Sequence, residues 1–167
     1  GKPEETNGSQ AQDWDELAKH ADILTMMAFG EHYSGSDPGP VASVGWIDAI
    51  LNYAINDRRV PREKISLSLP FFGEGWIEEG GGKWSAYDEE LNLRVIQESI
   101  LQKEDTTFLW DPVARSPRIR YEKNGKETVI WFEYRRSIEE KLKLARKYGM
   151  PNISLWRLGG ETPSVMS

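Results

Sequence analysis

Three short, mostly apolar segments, each running into a loop that contains glycine, most constrain the fold of this chain. They cover residues 22–29 (DILTMMAF), 65–70 (ISLSLP) and 152–158 (NISLWRL). Segments of this kind suit strands buried on both faces, as in a parallel sheet covered by helices. Because ligands bind beyond the carboxyl ends of such strands, we expect the site in the loops that follow them.

Amphipathic segments between these strands predict the helices of βα units. Residues 43–57 carry an apolar stripe at a spacing of three to four, with Ser43 as the expected cap. Residues 137–149 form a second predicted helix, in which Ser137 and Glu140 would make a capping box. The fold class predicted from these elements is α/β.

An α+β insertion is predicted at residues 77–134. Its glycine run at residues 80–82 precedes a predicted helix at residues 87–103, whereas residues 71–76 are expected to be a loop. Three short strands are predicted next, at residues 108–111, 118–123 and 128–134. Asn124-Gly125 between the last two predicts a tight hairpin turn.

The composition narrows the classes of function. At 167 residues, 38% hydrophobic and 29% charged, the chain is typical of a soluble globular protein, and no segment reaches the length of a membrane span. A net charge of −6 argues against nucleic acid as a partner. No cysteine and only two histidines disfavour a metal site, and no cofactor is expected. Seven tryptophans and six tyrosines suit core packing and sugar stacking alike.

Four strings, in this order and spacing, resemble a known family. They are MMAFGEHYSGSDPGPVAS (26–43), ISLSLPFFGEGW (65–76), VIWFEYRRS (129–137) and NISLWRLGGETP (152–163). They are similar to the sixth strand, the seventh strand, the end of the insertion and the eighth strand of glycoside hydrolase family 18. That family comprises chitinase-like (β/α)8 TIM barrels, and the likeness is strongest to bacterial spore-cortex and cell-wall lytic members.

The resemblance implies the C-terminal part of a TIM barrel, about three βα units with an α+β insertion. Residues 1–76 would hold the sixth and seventh units, residues 77–134 the insertion, and residues 135–167 the last helix and eighth strand. It further implies a glycosidase that acts on N-acetylglucosamine-containing polysaccharide, peptidoglycan or chitin, outside the cell or in the cell envelope or spore. Open barrel edges in such a fragment would favour self-association.

Two departures from the family bear on activity. The catalytic signature Asp-x-x-Asp-x-Asp-x-Glu does not occur in these residues. The general acid is therefore expected upstream, with no catalytic residue in this chain, which should be inactive alone. Where the family has Tyr-Asp, this chain has Phe29-Gly30, without the hydroxyl and carboxylate that hold the substrate's N-acetyl group. A non-catalytic carbohydrate-binding protein is the alternative.

Six residues beyond the strand ends are expected to bind substrate. They are Phe29, Glu31, His32, Tyr33, Trp76 and Trp156. The resemblance makes Trp156 the floor of the sugar subsite next to the cleaved bond. The Glu31–His32 pair could tune acid–base chemistry or simply hydrogen-bond within its loop.

Other positions past the strand ends leave both structural and binding roles open. Tyr33 and Trp76 could line outer sugar subsites or pack against neighbouring loop residues. Glu74 and Glu161 could bind sugar hydroxyls, cap a helix, or form the carboxyl pair that glycoside hydrolysis generally uses.

Overall fold

The computed structural model describes residues 12–89 and 91–159, which form a mixed α/β structure. The strands are β1 (Leu24–Met27), β2 (Ile65–Pro70), β3 (Gly73–Gly80), β4 (Lys83–Ala86), β5 (Thr107–Asp111), β6 (Ser116–Lys123), β7 (Lys126–Phe132) and β8 (Asn152–Trp156). The helices are α1 (Trp14–His20), α2 (Val44–Asn52), α3 (Leu93–Val95) and α4 (Arg135–Lys147). Both α2 and α3 continue as π-helical turns, at Tyr53–Asp57 and Ile96–Ile100, and a 3-10 turn at Arg62–Lys64 leads into β2.

A three-stranded parallel sheet, in the order β1-β2-β8, forms one half of the structure. All six residues of the central strand β2 are buried, because it is paired on both sides and Leu67 and Leu69 pack against the helices. Helix α2 contributes Ile47 and Leu51 to the same core, and α4 contributes Leu144. This arrangement brings the carboxyl ends of β1, β2 and β8 to one edge of the sheet.

A five-stranded antiparallel sheet, in the order β4-β3-β7-β6-β5, follows β2 in the chain. Its central strand β7 is buried from Thr128 onward because apolar side chains cover both faces. Ile130 and Phe132 belong to a cluster with Ile96 and its neighbours, whereas Trp131 packs with Trp76 in another cluster. No helix in the part of the chain that the structure describes is long and apolar enough to cross a bilayer.

The loop predicted at residues 71–76 is wrong beyond Phe72, since β3 begins at Gly73 and the boundary expected at residue 77 falls inside that strand. The glycine run is the turn of the β3–β4 hairpin, where Gly80, Gly81 and Gly82 all have positive φ. The predicted helix at residues 87–103 is much shorter, spanning α3 and its π-helical turn. Three glycines in eight residues gave β3 little strand propensity of its own.

Helix ends and turns were predicted with mixed success. Ser43 caps α2 as predicted, its hydroxyl accepting from the Trp46 amide at 3.0 Å. The Asn124-Gly125 turn is also confirmed, because Lys123 pairs with Lys126 across it. The capping box predicted for Ser137 is wrong. The last helix starts at Arg135, so that Ser137 lies in its first turn and its hydroxyl accepts from the Tyr134 amide at 2.9 Å.

Candidate functional site

A cleft of about 580 Å³ lies between the end of β8 and the start of the antiparallel sheet. Six side chains that define its walls are Phe72, Glu74, Tyr87, Asn92, Trp156 and Arg157. The cleft sits at the edge where parallel strands end, which is where ligands bind in α/β sheets. One wall therefore comes from the parallel sheet and the other from the antiparallel sheet.

An aromatic cluster underlies this cleft. The Trp156 side chain is 48% exposed, and its ring centroid lies 6.5 Å from that of Phe29, with the rings tilted by 36°. Phe29 in turn meets Phe72 edge-on, with centroids 5.6 Å apart. The Phe71 amide donates to the Trp156 carbonyl at 2.6 Å, which ties the end of β8 to the segment after β2. Trp156 thus presents a supported but accessible flat apolar surface.

Glu74 places a carboxyl group in the same cleft. It lies in β3 opposite Trp131 of β7, directly after the tight Gly73 position. Burial raises the pKa of Glu74, and no other influence on this carboxyl group is resolved. Within residues 12–89 and 91–159 the Glu74 side chain has no hydrogen-bond or ion-pair partner, so its acceptor oxygens are available to a ligand.

A polar network holds the wall of the cleft that the antiparallel sheet forms. The Tyr87 hydroxyl donates to Glu89 at 2.9 Å and accepts from Tyr121 at 3.2 Å, while Lys123 pairs with Glu89. The Lys123 hydrogen bond lowers the pKa of Glu89, whereas burial raises the pKa of Tyr121. These contacts satisfy Glu89 within the protein, in contrast to Glu74.

The predicted site residues Glu31 and His32 are committed to the loop after β1. Both Glu31 oxygens accept from Ser43, from its amide at 2.6 Å and its hydroxyl at 3.0 Å, at the start of α2. His32 Nδ1 lies 3.0 Å from the Pro40 carbonyl oxygen, and the His32 ring packs so closely that a Cβ at Gly39 would meet it at 2.5 Å. In this structure the pair stabilises its loop, which was the local alternative allowed by the sequence.

Trp76 and Tyr33, both predicted at outer subsites, have opposite environments. Trp76 is fully buried and its Nε1 donates to the Ser36 carbonyl at 2.8 Å, so in this structure it packs against its neighbours, which is the alternative that the sequence left open. Tyr33 remains 57% exposed on the loop after β1. Glu161, the other carboxylate considered from the sequence, lies outside the described residues.

Of the six predicted residues, Phe29 and Trp156 are thus brought together beside the cleft. Sequence reasoning missed Phe72, Tyr87 and Asn92. The doubled phenylalanine after β2 was the one available indication of Phe72. Tyr87 and Asn92 reach the cleft through the packing of the antiparallel sheet, which no local pattern reveals. Among the described residues, no group of three or more His, Asp or Glu side chains is arranged to hold a metal ion.

A second groove of about 570 Å³ lies between α2, α4 and the turn joining β5 to β6. Its charged walls are paired with one another, as in Arg115 with Glu140 at 2.6 Å and Lys147 with Asp48 at 3.6 Å. It does not adjoin the strand ends of the parallel sheet. The first cleft therefore remains the candidate site.

Comparison with known proteins gives a family match over almost the whole chain. The family model described as "Glycosyl hydrolases family 18" matches residues 2–161. Similar curated proteins include a glycosylase of Bacillus subtilis, YvbX, described as uncharacterized (26% identical, 91% of this chain, 42% of the relative). Another is a cortical fragment-lytic enzyme of Bacillus anthracis (26% identical, 95% of this chain, 35% of the relative).

A solved structure shares the fold closely. The chitinase from Chromobacterium violaceum ATCC 12472 is 29% identical with a TM-score of 0.85, over 99% of this chain and 50% of that chain. The chain spans less than half the length of the two curated relatives, and the matches cover the C-terminal portion of the family's proteins.

Proposed function

Because the chain belongs to glycosyl hydrolases family 18, we propose that it supplies the sixth to eighth βα units of an eight-stranded barrel glycosidase. The parallel order β1-β2-β8 supports this assignment, since an antiparallel insertion separates β2 from β8 in the chain without separating them in the sheet. On this proposal, the residues before β3 and residues 135–167 belong to the barrel, and the antiparallel sheet from Gly73 onward belongs to the insertion.

The proposed substrate is an N-acetylglucosamine-containing polysaccharide, either peptidoglycan or chitin. The observation that carries this proposal is the half-exposed Trp156 ring at the floor of the cleft. A pyranose ring has an apolar face that can lie against a flat aromatic ring while its hydroxyl groups meet polar walls. Phe29 packs against Trp156 and Phe72 packs in turn against Phe29, while Tyr33 lies exposed in the loop after β1.

In the proposed mechanism this chain binds and orients the sugar, while a general acid from a preceding strand protonates the leaving oxygen. As the family resemblance implies, the substrate's own acetamide oxygen would displace the leaving oxygen and form a cyclic intermediate, which water would then open, so that two inversions give retention of configuration. Trp156 would fix the plane of the sugar ring next to the scissile bond. Such fixation lowers the barrier because the reacting groups no longer lose orientational freedom in the transition state.

Non-catalytic carbohydrate binding is the second candidate, and the end of β1 favours it. Phe29 turns its ring into the aromatic cluster, and Gly30 contributes no side chain. Neither residue can hold an N-acetyl group through a hydroxyl or carboxylate. A protein of this kind would retain the Trp156 platform without turning over the polymer.

The test is hydrolysis by the whole protein that contains this chain. Purified protein is incubated with chitin oligosaccharides and with spore-cortex peptidoglycan, and newly formed reducing ends are measured. Release of reducing ends supports the glycosidase. Tight binding without release supports the non-catalytic alternative, and failure to bind either polymer overturns both.

Action outside the cytoplasm, at the cell envelope or spore, is part of the proposal because the substrate polymers are found there. The exposed Ile153 and Leu155 on the edge strand β8 are proposed to be covered by the remaining barrel. If the exposed strand β8 instead mediates self-association, size-exclusion chromatography of the whole protein will show a dimer or larger species.

A further inference from the structure

Glu74 is a carboxylate in the cleft that nothing in the described chain neutralises. Arg157 also lines the cleft, but it has interactions of its own and does not pair with Glu74. Burial raises the pKa of Glu74, and no lysine or arginine among residues 12–89 and 91–159 forms an ion pair with it. By contrast, Glu89, which also lines the cleft, is paired with Lys123.

The position of Glu74 is also fixed by its surroundings. A Cβ at Gly73 would lie 2.7 Å from the Trp131 carbonyl oxygen, and one at Gly75 would lie 2.8 Å from the Tyr87 Cβ. The backbone on both sides of Glu74 is therefore packed against its neighbours. The constrained backbone fixes the point from which the Glu74 side chain reaches the cleft, which suits a residue that selects among ligands.

The chemistry of an unneutralised, partly desolvated carboxylate favours a cationic ligand over a neutral one. A sugar hydroxyl could donate a hydrogen bond to Glu74, yet it would leave the negative charge without a counterion. An ammonium group supplies both the hydrogen bond and the charge, and such charge-assisted bonds are the stronger kind. An N-acetyl group presents a neutral amide at the same carbon of the sugar.

We propose that Glu74 is a specificity-determining residue that binds the free ammonium of a de-N-acetylated glucosamine unit in the polysaccharide. This inference rests on the proposed function, because it assumes that the cleft holds an amino-sugar polymer. It goes further in assigning a preference for polymers in which the unit that meets Glu74 has lost its acetyl group, while a different unit keeps the acetamide whose oxygen attacks.

The experiment compares two tetrasaccharides, β-1,4-linked glucosamine and β-1,4-linked N-acetylglucosamine. Binding to the whole protein at neutral pH is followed by tryptophan fluorescence immediately after mixing, before hydrolysis can proceed. We expect the preference for the glucosamine tetramer over the acetylated one to fall by about tenfold in Glu74→Gln, the size of effect typical of a charge-assisted hydrogen bond. The same preference should weaken on acidification in the wild-type protein, because Glu74 takes up a proton.

Glu78→Gln is the matched control. Glu78 lies four residues further along β3, does not line the cleft, and its replacement removes the same single charge. An unchanged preference in Glu74→Gln, or an equal fall in both variants, overturns the inference. So does failure of the wild-type protein to bind the glucosamine tetramer. If the protein binds glucosamine through Glu74 but hydrolyses no polymer, the inference stands and the glycosidase proposal fails.

Discussion

Lys141 Nζ lies 2.5 Å from Glu133 Oε2, and both side chains are excluded from solvent. Glu133 follows β7 and Lys141 lies in α4, so that this ion pair joins the antiparallel sheet to a helix packed on the parallel sheet. Ser116 completes the group, accepting from Lys141 at 3.2 Å. Burial raises the pKa of Glu133, and Lys141 offsets part of that rise.

Removing Lys141 should strongly destabilise the fold. Lys141→Met leaves Glu133 buried without its partner, and breaking a buried pair in this way costs about 3–5 kcal/mol. Lys143→Met, which breaks an exposed pair with Glu140 on the same helix, should cost under about 1 kcal/mol. Urea unfolding of the whole protein measures both. Similar losses in the two variants would contradict a special role for the buried pair.

Trp76 should matter for stability and little for direct ligand contact. Trp76→Ala removes a fully buried indole and its hydrogen bond to Ser36, at an expected cost of about 3–5 kcal/mol of unfolding free energy. Trp84→Ala, on the neighbouring strand β4, is the control because Trp84 is only partly buried. We expect a much smaller loss there. Comparable losses would show that Trp76 does not anchor the loop after β1.

Two glycine substitutions should shift stability in opposite directions. In Gly73→Ala the new methyl would lie 2.7 Å from the Trp131 backbone oxygen, an overlap that costs about 1–3 kcal/mol. In Gly45→Ala, within the first turn of α2, the nearest atom is Ser43 Oγ at 3.8 Å. Helix propensity then favours alanine by about 0.5–1 kcal/mol. Thermal unfolding measures both, and a gain at Gly73 would contradict the packing described.

Glu74→Gln should alter how stability depends on pH. Because burial raises the folded-state pKa of Glu74, the folded protein holds this proton more tightly than the unfolded chain does. The stability that Glu74 contributes is therefore present at low pH and is lost as pH rises through the folded-state pKa. The melting temperature of the glutamine variant minus that of the wild type should therefore be larger at pH 7 than at pH 4. A difference in melting temperature that does not change with pH would contradict this.

Trp156→Ala should weaken sugar binding by about tenfold or more, as expected for a tryptophan anchor in a cleft. Trp156→Phe should retain part of the affinity, because the phenyl ring keeps a flat apolar surface. Leu158→Ala serves as the control, since Leu158 borders the same cleft but is 90% exposed. Fluorescence titration with an N-acetylglucosamine tetramer measures the effect. Equal affinity in all variants would remove Trp156 from the site.

Local patterns predicted the parallel half of the structure well. The three strands follow from apolar runs. The Ser43 cap follows from a hydroxyl group that can accept a hydrogen bond from an amide in the first turn of the helix. The β3–β4 hairpin was missed because Trp76 is a strand residue only through its pairing with Val129 on β7. Pairing partners more than 50 residues apart leave no trace in a local window.

The candidate site was less predictable than the fold for the same reason. Trp156 could be identified because its strand ends in a loop, which is a local feature. Glu31 is a carboxylate just beyond a strand end, as expected of a binding residue, yet its oxygens accept hydrogen bonds from Ser43 in the folded chain. Whether a carboxylate faces a ligand or a helix amide depends on distances that only packing sets.

The Glu133–Lys141 pair also sets where the molecule can be cut and recombined. The antiparallel sheet looks like a detachable module because one segment enters it and one leaves. If the transferred segment ended at Phe132, it would contain the whole sheet but not Glu133, Ser137 or Lys141. If it ended at Glu133, the new host would have to bury this carboxyl group without the lysine that pairs with it. A functional graft of this module would therefore extend through Lys141, two turns into the following helix.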